Sequence, residues 1–326
     1  MHYETESIAM TTDQGRTRRV GFELEFAGVD LKRLAERIAE ELGGKVESEN
    51  AFVHTVAGTR LGDFQLEVDA DLLKKRRYRD FLQKIGITLD QESEKAVESA
   101  LLETASVAVP FELVSPPVPL DRMHEMDELE RILRELGAKG TRASPLYAFG
   151  MQLNPEAPSL EADSVRAHIQ AFLLLEKRLR DEIDVDPSRR IAPFIDNFPD
   201  SYRELVLDPD YAPDMDALVA DYLEHNPTRN RPLDMTCLFA HLDPDTVLGK
   251  VEEPHLVKPR PTYHYRLPDC RIDDADWSMA LEWNRWVMVE RLAADSEELD
   301  RQCREFAQRP KSPLDWLRRL GKRLVP

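Results

Sequence analysis

Two glutamates two residues apart, Glu23 and Glu25, lie in the stretch RRVGFELEFAGVD, residues 18–30. Val20, Phe22, Leu24 and Phe26 alternate with Gly21, Glu23 and Glu25. A strand sends successive side chains to opposite faces, so the two carboxylates share a face opposite a fully apolar one. The same alternation recurs further along. In GDFQLEVDA, Gln65, Glu67 and Asp69 share a face; in PFELV, Glu112 opposes Phe111 and Leu113. In AFGMQLNP, Gln152 and Asn154 share a face, and in PTYHYRL so do His264 and Arg266. Any one of these strands, taken alone, reads first as the water-facing side of an antiparallel sheet. Glutamate and aspartate are poor strand formers, however, and a cluster of one sign of charge costs energy unless cations fill it. Hard oxygen ligands of this kind suit Mg²⁺ or Mn²⁺, which bind carboxylates together with substrate phosphates. His264 would add a nitrogen ligand that favours Mn²⁺; its other reading is a hydrogen-bonded strand residue. Arg266 offers a planar fork for phosphate or carboxylate, or else a structural ion pair with one of the acids.

These residues need a scaffold. The first strand is expected over about 19–28, followed by the amphipathic helix DLKRLAERIAEELGG, capped by Asp30 and stopped at Gly43-Gly44. AFVHTV and GDFQLEVDA read as a strand pair around the turn AGTRLG, and residues 71–106 as charged helices. The short strand VPFELV halts at Pro116-Pro117; RMHEMDELERILRELGAKG follows as a helix. LYAFGMQLNPE is another strand, and ADSVRAHIQAFLLLEKRLRDEI a long helix with Asp163 or Ser164 near its cap. The Pro- and Asp-rich segment 184–232 holds one short helix near 215–225. RPTYHYRL is the last strand, and one long helix closes the domain from Ala280 to Gln308. Clean alternation predicts a mainly antiparallel sheet with one face covered by helices, an α+β fold. The division predicted is a loose leader over 1–17, one domain over 18–310 and a basic amphipathic tail over 311–326. The tail is expected to pack on this or another protein, with a membrane surface as the other reading.

Composition narrows the function. Of 326 residues, 62 are acidic and 44 basic, a net charge of −18, which argues against a nucleic-acid binder. The densest basic run, KKRRYR at 74–79, reads as a solvated helix face. An anionic nucleoside triphosphate would need metal ions to screen it. No apolar run approaches the roughly 20 residues of a membrane span. Cys237, Cys270 and Cys303 form no CxxC pair, so neither a zinc ribbon nor a disulfide framework is indicated. They read as small buried residues in a reducing, cytoplasmic protein. Neither GxxxxGK[ST] nor GxGxxG occurs, and no convincing Ser-His-Asp set exists.

The order of VGFELEF, FQLEVDADLLK, FELVSPPVP, YAFGMQLNPE, NPTRNRPLDM and RPTYHYRLPDC across roughly residues 18–290 resembles the putative amidoligase family. That family is similar to the glutamine synthetase and glutamate–cysteine ligase superfamily of carboxylate–amine ligases. The resemblance implies a curved antiparallel sheet forming a funnel, with metal ions and ATP on its concave face. It gives Glu23, Glu25, Glu67, Asp69, Glu112 and His264 to metal binding. Arg266 and Glu112 take catalytic roles, and Gln152, Asn154, Arg229 and Arg231 bind cofactor or substrate. For Arg229 and Arg231 a solvated loop is the other reading. Two departures stand out: Gln152 and Asn154 occupy a strand where many relatives carry histidine, and His264 replaces the glutamate of a Glu-x-Arg strand. The activity implied is ATP-dependent amide formation from a small-molecule or peptide carboxylate and an amine, in a chain able to assemble as a homo-oligomer. A scaffold on a degenerate ligase fold and a two-metal phosphohydrolase are the alternatives.

Overall fold

A computed structural model of the chain describes residues 2–50, 52–68, 110–144, 147–191 and 194–309. Asp69, the helices expected over 71–106 with their basic run, and the C-terminal tail lie outside the described residues.

Nine strands among the described residues join in one antiparallel sheet: β1 (Arg19–Phe26), β2 (Lys45–Asn50), β3 (Val53–Thr59), β4 (Gly62–Val68), β5 (Phe111–Val114), β6 (Val118–Pro119), β7 (Met151–Pro155), β8 (Leu233–Asp234) and β9 (His264–Tyr265). Their spatial order is β2-β3-β4-β5-β1-β7-β9-β8, and β6 pairs with the start of β1. Strand β1 is therefore central. Its apolar residues Val20, Phe22, Leu24 and Phe26 are fully buried, each contributing about 1.5–3 kcal/mol by leaving water. β2 was not foreseen, because KVESEN carries no apolar alternation and is mostly exposed.

Helices supply the other half of the core. α1 (Leu31–Leu42) starts at Asp30, whose carboxylate accepts from Arg33 N at 2.7 Å, and ends at Gly43 with φ +80°. Its buried Leu31, Leu34, Ala35, Ile38 and Leu42 form the stripe that faces the sheet. α2 (Met126–Glu135) packs beside it. α3 (Ala162–Ile183) begins one residue before the expected cap: Glu161 holds the N-cap position with no side-chain bond. Among its described residues, the segment expected to carry one short helix contains three: α4 (Pro187–Ile191), α5 (Asp200–Val206) and α6 (Met215–His225). α7 (Thr236–Leu242) and α8 (Pro244–Lys250) follow β8.

The single closing helix is corrected to two, α9 (Met279–Ala294) and α10 (Ser296–Ala307). Asp295 both ends the first and caps the second, its carboxylate accepting from Glu298 N at 3.0 Å. An acidic cap with glutamate three residues on is a start signal inside what looked like one helical period. The last strand is also shorter than RPTYHYRL suggests, with only His264 and Tyr265 in the ladder. The leader touches the body: Tyr3 is buried edge-on to Phe22 at 6.3 Å, and Trp283 Nε1 donates to the Glu4 carbonyl at 2.7 Å.

Helices α3 and α9 cover the apolar face of β9. Tyr265 lies 5.9 Å from Phe172 and 5.4 Å from Trp286, and Tyr263 lies 5.5 Å from Trp286. Tyr263 and Tyr265 thus point to the core, and His264 points to the opposite face. Among the described residues no helix is long and apolar enough to cross a membrane.

Candidate functional site

Register lines up the acids. Glu25 stands directly opposite Glu112 between β1 and β5, and Glu112 directly opposite Glu67 between β4 and β5. Three carboxylates from three strands thus form one transverse row. Facing positions on an antiparallel sheet bring Cβ atoms to about 4.5–5.5 Å, where like charges repel. One step along β1, Glu23 stands opposite Gln152, and Gly21 opposite Asn154. Leu153 stands opposite Tyr265, so β9 and β8 continue the Gly21–Asn154 line with His264 and its partner Asp234.

Exposure along the polar face is graded. Gln65 and Glu67 on β4 are exposed; Glu112, Glu23 and Glu25 are half-buried. Gln152, Asn154, His264 and Asp234 are buried. The water-facing reading therefore fits β4 and fails for β7 and β9.

The buried end is densely bonded. Glu23 Oε1 accepts from Asn154 Nδ2 at 2.8 Å and from the Arg260 guanidinium at 3.2 Å, while Arg260 also donates to Asn154 Oδ1 at 3.0 Å. Glu25 Oε2 accepts from the Gly150 amide at 2.8 Å. His264 Nε2 bonds Gln152 Oε1 and lies 3.9 Å from Glu23 Oε2; its Nδ1 lies 3.4 Å from Asp234 Oδ2. Burial pushes the Glu23 carboxyl up, but His264, Arg260, Asn154 and Arg266 together hold it below the usual glutamate value. For Asp234, burial is likewise outweighed by His264, Arg266 and Arg229. Burial drives the His264 imidazole down. The Arg266 guanidinium is lowered by burial and by the neighbouring Arg229.

Long-range anchors fix these groups. Arg266 donates to the Arg229 carbonyl at 2.7 Å, drawing the 226–232 loop to β9. Buried Arg189 on α4 donates to the carbonyls of Arg266 and Leu267, both at 2.9 Å, and holds the exit of β9. Arg260 N donates to the Cys237 carbonyl at 3.1 Å, so the first turn of α7 sets where that guanidinium reaches.

The structure brings Glu23, Gln152, Asn154, His264 and Arg266 together on adjoining strands and aligns Glu25, Glu112 and Glu67 beside them. Arg229 comes within 3.9 Å of Asp234. Arg231 turns elsewhere: it donates to Asn226 Oδ1 at 2.8 Å and the Asn197 carbonyl at 3.0 Å, and its guanidinium lies 5.9 Å from the Phe198 ring. Arg260 and Asp234 were missed. Arg260 opens the stretch RPTYHYRL expected as the last strand and has the same parity as His264 and Arg266, so the alternation carries it; the strand face read from PTYHYRL starts one residue later, and in the structure Arg260 precedes the ladder. Asp234 is visible in the stretch NRPLDM only as a lone acid.

Carboxylates on adjacent strands share one face with few competing lysines, a donor chemistry that suits hard divalent cations; among the described residues, though, their oxygens do not gather into a ligand cluster, and the group that does is Asp234, Cys237 and His264. Arginines at the buried end suit phosphoryl or carboxylate oxygens.

A model of the protein family described as "putative amidoligase enzyme" matches residues 16–288, most of the chain. No curated protein matches the chain.

Proposed function

The chain belongs to the putative amidoligase enzyme family, and on that footing we propose that it is an ATP-dependent carboxylate–amine ligase that forms an amide through an acyl phosphate. The observation that carries the reading is the transverse row Glu25–Glu112–Glu67, adjoined by Glu23 and by the arginines Arg260 and Arg266. Here the sheet is taken as one wall of a funnel of the glutamine synthetase kind.

Glu23, Glu25, Glu112 and Glu67 would hold Mg²⁺ or Mn²⁺; Asp69, expected from the sequence to join them, lies outside the described residues. Bound ions would screen the triphosphate and draw charge from the transferring phosphoryl group. The protein's own groups do the positioning. Arg260 and Arg266 would orient phosphoryl oxygens and neutralise charge that develops on them. Asn154 keeps Glu23 and Arg260 in fixed relation through both ends of its amide. Gln152 plays the same part for His264. A carboxylate oxygen of the acid substrate forms a bond to the γ-phosphorus as ADP leaves. The amine nitrogen then bonds the acyl carbon, phosphate leaves, and the amine proton passes to a carboxylate of the site or to water. Arg229 and Arg231 border this region from the loop before β8, where Arg229 is the better placed to meet substrate.

The test is coupled turnover. Full-length protein with Mg²⁺ and ATP is expected to release ADP and phosphate only when an acid and an amine are both supplied, with amide mass formed in equal amount. Full ATP turnover by Glu23→Gln would sink the assignment. Phosphate release without any amine would point to a phosphohydrolase, and lack of nucleotide binding by calorimetry at millimolar levels to a scaffold.

A further inference from the structure

At the buried end of the carboxylate face, a corner of the fold joins three different metal-ligating side chains. Asp234 ends β8, Cys237 lies in the first turn of α7, and His264 is the strand partner of Asp234 on β9. A carboxylate oxygen, the Sγ and a ring nitrogen lie within 4.8 Å of one another, and all three residues are buried.

Hydrogen bonding there is incomplete in a specific way. Asp234 Oδ1 accepts from Thr236 N at 2.9 Å and Thr236 Oγ1 at 2.7 Å, which fixes the carboxylate. Its Oδ2 has no hydrogen-bond partner, and neither does His264 Nδ1, 3.4 Å away. Gln152 Oε1 is an acceptor only, so the His264 Nε2 facing it carries the proton. With that proton on Nε2, a neutral ring turns its Nδ1 lone pair toward the Asp234 carboxylate, 3.4 Å away. Two buried acceptors face to face cost free energy unless a cation or a donor lies between them. Arg229 does not supply the donor: its Nε stands 3.9 Å from Oδ2 and is itself unpartnered.

We propose that Asp234, Cys237 and His264 form a binding site for one borderline-soft divalent cation of the Zn²⁺ type, separate from the carboxylate row. A thiolate, an imidazole and one carboxylate match zinc rather than magnesium. Gln152 completes the pattern, because a ligating histidine characteristically donates its other N–H to a carbonyl oxygen. The consequence is positional. An ion here ties β8, β9 and α7 at one point, and the Cys237 carbonyl in turn holds the backbone of Arg260, the partner of Glu23. The site's existence does not depend on the nucleotide reading. Mg²⁺·ATP calorimetry reports the carboxylate face alone, and a thiolate signal reports this corner alone, so either fails without the other.

The test uses the full-length chain stripped of metal with a chelator and titrated with Co²⁺. One equivalent is expected to bind with a thiolate-to-cobalt charge-transfer band, displaced by Zn²⁺ and not by millimolar Mg²⁺. Cys237→Ser is expected to lose the band and Cys303→Ser to keep it, with circular dichroism checking that each is folded. Should Cys237→Ser fail to fold, X-ray absorption on the zinc-loaded wild type replaces it, expecting a sulfur at about 2.3 Å beside nitrogen and oxygen at about 2.0 Å. Absence of the band, its survival in folded Cys237→Ser, or a shell of oxygen and nitrogen alone overturns the proposal and leaves a buried water as the bridge.

Discussion

Glu25 and Glu112 are direct cross-strand partners at the centre of the sheet, both half-buried. With Glu67 next in line, three carboxylates stand side by side in one row that a divalent cation would bridge. Glu112→Gln removes the middle charge. With millimolar Mg²⁺ the wild type should gain stability and the variant little. Thermal unfolding of both proteins, with chelator and with Mg²⁺, checks this. Equal Mg²⁺ stabilisation of the two would remove Glu112 from the ligand set.

Arg260 neutralises Glu23 in the resting protein and stands 30% exposed, open to an incoming anion. Arg260→Gln is expected to weaken Mg²⁺·ATP binding by about 10- to 100-fold, the loss of one charge-assisted hydrogen bond to a phosphate oxygen. Isothermal calorimetry measures it. An unchanged affinity would show that Arg260 serves only to hold Glu23 and Asn154.

The contrast between Arg260 and Arg266 shows what sequence can convey. Strand alternation sorted His264 and Arg266 from Tyr263 and Tyr265 correctly, because side-chain direction in a strand is a local property. It likewise placed Glu23 and Glu25 opposite the buried Phe22 and Leu24. Register is not local. That Glu112 meets both Glu25 and Glu67 depends on pairing between segments far apart in the chain, which no spacing rule specifies. Arg260 reaches Glu23 from a proline-flanked loop tied down by the Cys237 carbonyl, so its role exists only in three dimensions. The break at Asp295 was local and legible: the Asp-Ser-Glu-Glu start signal was present, but a continuous helical period masked it.

A buried ion pair behind the sheet sets a different kind of expectation. Arg18, fully buried, donates from both terminal nitrogens to Glu290 at 2.8 and 2.7 Å, and from Nε to the Glu156 carbonyl at 2.8 Å. Trp286 Nε1 also donates to Glu290 at 2.7 Å. Removing one partner leaves the other charge buried and uncompensated. Arg18→Met is therefore expected to cost about 3–5 kcal/mol, and adding Glu290→Met to restore part of the loss. Urea unfolding of the single and double variants measures both. A single variant within 1 kcal/mol of wild type, by order of magnitude, would mean that water enters the site.

The acid limb of stability should carry the signature of His168. This residue of α3 is buried, stacks on Tyr263 with centroids 4.8 Å apart, and its Nδ1–H donates to the Ser164 carbonyl at 2.8 Å. Burial lowers its pKa below the ordinary histidine value of 6.5, although Glu290 and the Ser164 carbonyl pull the other way. In the window between the lowered folded value and the ordinary one, the unfolded chain binds a proton that the folded chain does not. Stability therefore falls as pH drops below about 6.5 and flattens below the folded pKa, with a slope of at most about 1.4 kcal/mol per pH unit for this proton. His264, lowered in the same direction, adds its own share. His168→Gln should flatten the curve without abolishing it, since His264 and the shifted buried carboxyls still contribute. Urea midpoints between about pH 5 and about pH 8 decide the matter: curves for wild type and variant that run parallel throughout would show that His168 stays uncharged in both states or charges equally in both.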